Sequence, residues 1–406
     1  MKRVYLDNAA TTAVDPQVFQ AMKPFFSKKY GNASEPHFWG QEARKAIDKA
    51  RDQAASFLGC KSGEIVFTSC ATESINLAHK GLLEALLQEF SNSKSQFSKK
   101  LHVITSSVEH KAVLESCRHL EKSGMAEVSY LPVDKFGMVK VADVEKAITP
   151  ETILVSMMYV NNEVGTVEPI KEIGKLIKKI NVSRITSRLS PIFFHTDATQ
   201  AVQYLDCNVD KLGVDLLSLT GHKIYAPKGI GFLYQKKGTP LIRQQDGGGQ
   251  EFRLRAGTEN VPYIVALGQA IEKCSNVQNS KCSKKIEKLR DKLITNVLKI
   301  PGTKLTGHPT QRAPHIASFV IEGTEGEAIL LHLSDKGIAA SSGSACTSGL
   351  LQPSHVLTAM GIPAQWSHGS LRFSLGKDNT KQDIEYVAEI LPVIIKKLRK
   401  MAPKGV

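Results

Sequence analysis

The sequence predicts an α/β protein in which a mostly parallel sheet is covered by helices on both faces and followed by a smaller α+β domain. Three observations predict it. Short apolar runs recur at Glu64–Thr68, Leu101–Ser107, Thr152–Met158, Pro191–Asp197 and Val214–Leu217, the length and character of buried strands. Between several of them lie stretches with apolar residues at helical spacing, and strands alternating with helices imply parallel pairing. Beyond Val261 the pattern changes to long amphipathic helices with a strand near Ile316–Ile321. We therefore expect a large domain over residues 16–261 and a small one made of 1–15 and 262–406, the latter carrying a mobile loop at about 341–350.

Taken in order, Val4–Thr12 reads as a short strand followed by small residues. Phe38–Leu58 keeps helical spacing through Ala43, Ile47, Ala50, Ala54 and Phe57, and Gly59 is a stop. The strand ending at Thr68 leads through Ser69-Cys70-Ala71-Thr72-Glu73 into a helix through Ile75, Ala78, Leu82 and Leu86. Such a turn presents free backbone donors and a hydroxyl to an anion, which makes Thr72 a candidate phosphate ligand; an ordinary N-cap explains it as well when taken alone. Gln88–Lys100, rich in Ser and Lys, reads as a mobile surface insertion. The next strand delivers His110 ahead of a helix starting near Lys111; the one after it ends at Asn161-Asn162-Glu163, and Pro169 opens a helix. The candidates Thr72, His110, Asn162 and Asp197 all follow strands and should converge on one edge.

The chemistry centres on Ser218–Gly229. Lys223 there falls in a turn between two strands, flanked by Thr220, Gly221 and His222. A neutral lysine amine can form a Schiff base with a carbonyl cofactor such as pyridoxal phosphate (PLP), while Thr220 and His222 can bind its phosphate. Such a ring needs an acid to hold its nitrogen protonated; Asp197, at a strand end, suits that role, and Gln200 can reach the ring hydroxyl. His110 could stack on a ring and move protons. A second centre is Ser341–Gly349, a polar small-residue loop with one thiol, Cys346, suited to act as a travelling nucleophile. Arg372, inside a strand-like run, suits bidentate capture of a carboxylate, or else a structural ion pair.

Composition excludes several classes. With 42% hydrophobic and 23% charged residues the chain is globular rather than disordered. Its formal charge of +14 invites acidic partners, but the lysines are scattered over polar helix faces with no interleaved aromatic residues, so direct nucleic-acid binding is not expected. Seven cysteines with no CxxC pair argue against a disulfide framework or zinc ribbon and for a reducing compartment. Without a signal-like amino terminus or a run long enough to span a bilayer, a cytoplasmic protein with no membrane partner is expected.

The ensemble resembles the cysteine desulfurases of the NifS/IscS class, within the class V group of the PLP-dependent aminotransferases. Nine segments carry the resemblance, in order: Leu6–Thr12, Ala71–Ser74, Glu109–Lys111, Val160–Glu163, Asp197–Gln200, Gly221–Lys223, Arg255–Thr258, Ser341–Ser348 and Leu371–Ser374. It implies a fold type I, seven-stranded sheet and a homodimer. It also implies that Lys223 holds PLP, that His110 stacks on it, that Asp197 and Gln200 contact the ring, and that Thr72, Thr220, His222 and the other subunit's Thr258 bind phosphate. Asn162 and Arg372, with Asn8, would bind substrate, and Cys346 would receive sulfur from L-cysteine for an iron-sulfur scaffold or another acceptor, such as one serving tRNA thiolation. Cys70 and Ala226 stand where the family usually has glycine, and Thr220 where it has serine. A selenocysteine lyase of the same fold is the alternative; a basic binding protein without cofactor is a more distant one.

Overall fold

The computed structural model describes residues 2–92, 100–275, 281–342 and 353–401. Its strands, in chain order, are β1 (Val4–Tyr5), β2 (Ile65–Thr68), β3 (Leu101–Ser106), β4 (Ala126–Leu131), β5 (Thr152–Met158), β6 (Phe193–Asp197), β7 (Leu216–Thr220), β8 (Gly231–Gln235), β9 (Thr303–Thr306), β10 (Ile316–Ile321), β11 (Ile338–Ala339) and β12 (Ser370–Ser374). Seven of them form one sheet in the order β2-β8-β7-β6-β5-β3-β4, in which only β8 runs against the rest. β12, β10 and β9 form an antiparallel sheet, and β1 pairs with β11 in parallel.

β2, β3 and β5 are buried at every position, as expected of strands covered by helices on both faces. The helix Phe38–Leu58 buries Ala43, Ile47, Ala50, Ala54 and Leu58, and ends at Gly59 in the left-handed conformation (φ 73°). That conformation favours glycine, and a Cβ there would also have to displace the end of the Asn208 side chain. On the same side the helix Val261–Ser275 packs against Phe38–Leu58, and its Ile264, Leu267 and Ile271 join the core of the large sheet. That core thus continues past residue 261. The small sheet has its own core, with Phe319 and Phe373 fully buried and edge-to-face at 6.4 Å, and it includes Val4 and Leu6 from the amino terminus.

Two local expectations change. Residues Gln88–Asn92, taken for the start of a surface insertion, complete the helix Leu82–Asn92, whose apolar Leu82, Leu83 and Leu86 are buried; residues 93–99 lie outside the described part. β4 was not read from the sequence at all. It is the strand at one end of the sheet, exposed at Glu127 and Tyr130, so it lacks the continuous apolar run of β3 beside it.

Because β2, β3, β5, β6 and β7 run in one direction, their carboxyl ends open on the same edge. The amino-terminal segment crosses that edge: Asp7 bridges to Ser374, and Thr12 N–H donates to the His222 carbonyl at 2.9 Å.

Candidate active site

A cavity of about 250 Å³ opens at this edge. Thr72 comes to it from the turn after β2, His110 from the loop after β3, Asn162 from that after β5, Asp197 and Gln200 from the end of β6, and Thr220, His222 and Lys223 from the end of β7. Eight candidates read from scattered segments thus line one space. Thr258, Asn8 and Arg372 do not line it: Thr258 sits on the exposed segment before the helix Val261–Ser275, Asn8 Nδ2 donates to the Ser374 carbonyl at 3.0 Å, and Arg372 pairs with Asp7. Cys346 lies outside the described residues, although the flanks of its loop are described. Ser341 exchanges backbone hydrogen bonds with Arg372, Ser354 Oγ donates to Glu163, and His355 Nε2 bonds the Glu109 carbonyl at 2.9 Å.

Lys223 sits in a single 3₁₀ turn between β7 and β8, and its Nζ donates to the carbonyls of Ala9 and Ala10, each at 2.6 Å. Burial, reinforced by the Arg372 charge, lowers its pKa to about 8 against the pull of Asp7 and Asp197. A substantial fraction of the amine is therefore neutral near physiological pH, as a carbonyl-trapping lysine requires. His222, hydrogen-bonded through Nδ1 to Thr11 Oγ1 at 3.2 Å, has its pKa lowered to about 4 by burial and by Lys223, so its ring is neutral.

His110 caps the helix Lys111–Lys122, its Nδ1 accepting from Ala112 N–H at 3.1 Å. That bond leaves the ring proton on Nε2 in the neutral form. Burial lowers the His110 pKa, opposed by Asp197, and neutrality is thereby favoured. Asp197 is fixed by Thr199 N–H donating to Oδ1 at 3.0 Å, and Gln200 by donation to the Ala9 carbonyl at 2.9 Å. Thr199 Oγ1, beside them on the wall, is buried without a partner among the described residues. A lysine of lowered pKa, neutral histidines, an acid at a strand end and a spare hydroxyl around a cavity suit a ring bearing an aldehyde and a phosphate.

Arg372 donates from Nη2 to Asp7 Oδ1 at 2.9 Å and from Nη1 to the Asn162 carbonyl at 2.7 Å, while its buried Nε has no partner among the described residues. The guanidinium is thus held in place with a donor to spare. Sequence reasoning passed over two groups behind this wall. Glu109 accepts Ser106 Oγ at 2.7 Å and Met158 N–H at 3.0 Å, and burial raises its pKa to about 8. Burial likewise raises Glu163 to about 7, against the hydrogen bond from Ser354. Both adjoin a chosen residue, His110 or Asn162, and a carboxylate neighbouring a strand-end ligand was the available signal.

The family model "Aminotransferase class-V" matches residues 4–387. The chain belongs to that family. Class V aminotransferases and the cysteine desulfurases among them are PLP enzymes, so the fold and cofactor expected from the sequence are borne out. A relative from Methanosarcina thermophila called "Cysteine desulfurase IscS" is 48% identical over 402 residues, 99% of this chain and 94% of its own. Among solved structures, a "NIFS-LIKE PROTEIN" superposes with a TM-score of 0.85 at 36% identity, covering 98% of this chain and 99% of that one. "SspA in complex with cysteine" does so with a TM-score of 0.78, also at 36% identity, over 93% of this chain and 100% of that one. Enzyme class and reaction agree with the reading of the sequence.

Proposed function

We propose that this class V enzyme is a cysteine desulfurase that removes sulfur from L-cysteine, releases L-alanine and carries the sulfur as a persulfide on Cys346. The observation that carries the reading is the Lys223 amine, lowered to a pKa of about 8 and facing Asp197, His110 and Gln200 across one cavity. Bound PLP supplies the electron sink that lets the Cα–H and C–S bonds of an amino acid break. Lys223 would hold the cofactor through its amine and would carry the Cα proton. Asp197 would keep the ring nitrogen protonated, Gln200 would contact the ring oxygen, and Thr72, Thr220 and His222 would bind the phosphate, joined by Thr258 from a second copy in a homodimer. Arg372, steadied by Asp7, and Asn162 orient the substrate carboxylate, with Asn8 fixing the strand beside them. His110, with its proton on Nε2, would help to hold the ring and would assist proton transfer.

Sulfur passes when the Cys346 thiolate attacks the substrate sulfur, so that an S–S bond forms as the C–S bond breaks. The acceptor is an iron-sulfur scaffold or another sulfur-accepting protein. We assign the protein to the cytoplasm; no helix among the described residues is long and apolar enough to cross a membrane. The test is an absorbance spectrum before and after adding cysteine, with alanine and sulfide assayed under reducing conditions. A shifting visible band with both products supports the proposal. A band without sulfide, or persulfide formation surviving in Cys346→Ala, overturns it.

A further inference from the structure

The turn from β2 into the helix Ala71–Asn76 carries Thr72, a residue of the proposed phosphate site, and the N-cap Cys70 of that helix makes no side-chain capping bond. β2 is also the end strand of the sheet on the side opposite β4, with one edge facing away from β8. An open edge leaves backbone donors and acceptors without partners and the strand free to shift. Here a buried ion pair fills it. Arg51 Nη1 donates to the Ile65 carbonyl at 2.5 Å, and Glu251 Oε2 accepts Phe67 N–H at 2.8 Å. The two side chains are joined by bonds of 2.8 and 2.6 Å, so together they offer β2 one donor and one acceptor, as a neighbouring strand would. The Arg51 guanidinium lies between the Phe67 and Phe252 rings, 4.7 and 4.9 Å from their centroids.

The segment that provides Glu251 is held in an unusual conformation. Glu251, Phe252 and Arg253 have φ values of 43°, 57° and 66°, three successive non-glycine residues in the left-handed region, which surrounding contacts must enforce. Two residues on, Arg255 Nε donates to Glu73 Oε1 at 2.9 Å, and Glu73 Oε2 accepts Ser69 N–H at 2.7 Å. The segment therefore grips both ends of one unit: Glu251 holds the strand before the phosphate turn, and Arg255, through Glu73, holds the turn itself.

We infer that Arg51, Glu251 and Arg255 are positioning residues for the cofactor phosphate, acting through β2 and Glu73 without touching it. The inference rests on the proposed PLP site. Wild-type apoprotein that fails to bind PLP would remove that site, whereas the inference is judged only by how variants differ from a wild type that binds.

The decisive variant is Arg255→Gln, because Arg255 is partly exposed and its loss leaves the core intact. The affinity of apoprotein is measured for PLP and for pyridoxal, which lacks the phosphate, alongside the melting temperature. We expect about tenfold weaker PLP binding, equal to about 1.4 kcal/mol, with pyridoxal binding unchanged. Glu73→Gln should give a similar loss, and the double variant little more than either alone, since both break one link. Arg51→Lys, which keeps the charge but not the fork or the stacking, should show the same selectivity for PLP. Unchanged PLP affinity in folded Arg255→Gln would overturn the inference, as would an equal loss for PLP and pyridoxal.

Discussion

Timing the reaction of apoprotein with PLP as the pH is raised reads the state of Lys223 directly, because only the neutral amine attacks the aldehyde. With a pKa of about 8, roughly one amine in ten is neutral at pH 7; at the ordinary value of 10.5 the fraction would be about one in three thousand. The buried site therefore raises the reactive fraction about 300-fold, and the rate should climb tenfold per pH unit before levelling near pH 8. Arg372→Gln removes the charge that assists burial and leaves Asp7 without its partner. Both changes favour the ammonium, so the midpoint should move upward. The same shift has a stability consequence. Between the folded value near 8 and the unfolded value near 10.5 the unfolded chain binds more protons, so the penalty of burying Lys223 is full below pH 8 and gone above 10.5. Lys223→Met should accordingly stabilise the apoprotein at pH 7, by at most about 3 kcal/mol. A rate still rising tenfold per unit through pH 9, or an Arg372→Gln midpoint that does not move, would refute this account of the amine.

Three further outcomes follow from the same contacts. Glu109 is protonated at neutral pH, so Glu109→Gln should keep its bonds to Ser106 and Met158, while Glu109→Ala should lose about 1–3 kcal/mol. Its folded pKa lies above the unfolded one, so its contribution fades as pH rises from about 4.5 to 8. Urea unfolding at both ends of that range should show Glu109→Gln gaining on the wild type at the higher pH. Asp15 is the reverse: burial pulls its pKa up, but hydrogen bonds from Lys273 and Lys377 hold it well below the ordinary value. Its stabilisation is present at neutral pH and falls away in strong acid, so Asp15→Asn should lower the melting temperature more at pH 7 than at about pH 2. In the small sheet, Phe319→Ala removes a fully buried ring packed on Phe373, beside Arg372, and should cost about 3–5 kcal/mol in urea unfolding.

The parallel sheet was legible because its central strands are buried on both faces and announce themselves as apolar runs, as Thr152–Met158 does. β4 was not, since this end strand is only half buried along its middle and carries the exposed Glu127 and Tyr130. The site residues were legible for a related reason: chain direction in a parallel sheet sends every strand-end side chain to one edge, so Thr72, His110, Asn162 and Asp197 could be grouped before any distance was known. Contacts between segments far apart in sequence left no such trace. Nothing in Arg51 marks a residue that will meet Glu251 across 200 positions and fill a strand edge, and nothing in Ala9 or Ala10 marks the carbonyls that receive Lys223. Side chains advertise their chemistry, whereas backbone acceptors are alike in every residue.

That difference bears on what sets the lysine's reactivity. Two groups that act on Lys223, Asp7 and Arg372, come from opposite ends of the chain and pair at 2.9 Å beside the small sheet. Their charges oppose one another at the amine, and Ala9 and Ala10, which hold it, belong to the segment that carries Asp7. Burial of Lys223 also depends on that segment, since it crosses the open edge of the large sheet and is fastened to β7–β8 by Thr12 at the His222 carbonyl and at Tyr225 N–H. The pKa of about 8 is therefore a property of how the amino-terminal segment and the small sheet seat on the large one, and a change that loosens this seating acts on the chemistry even when it touches no group in the cavity.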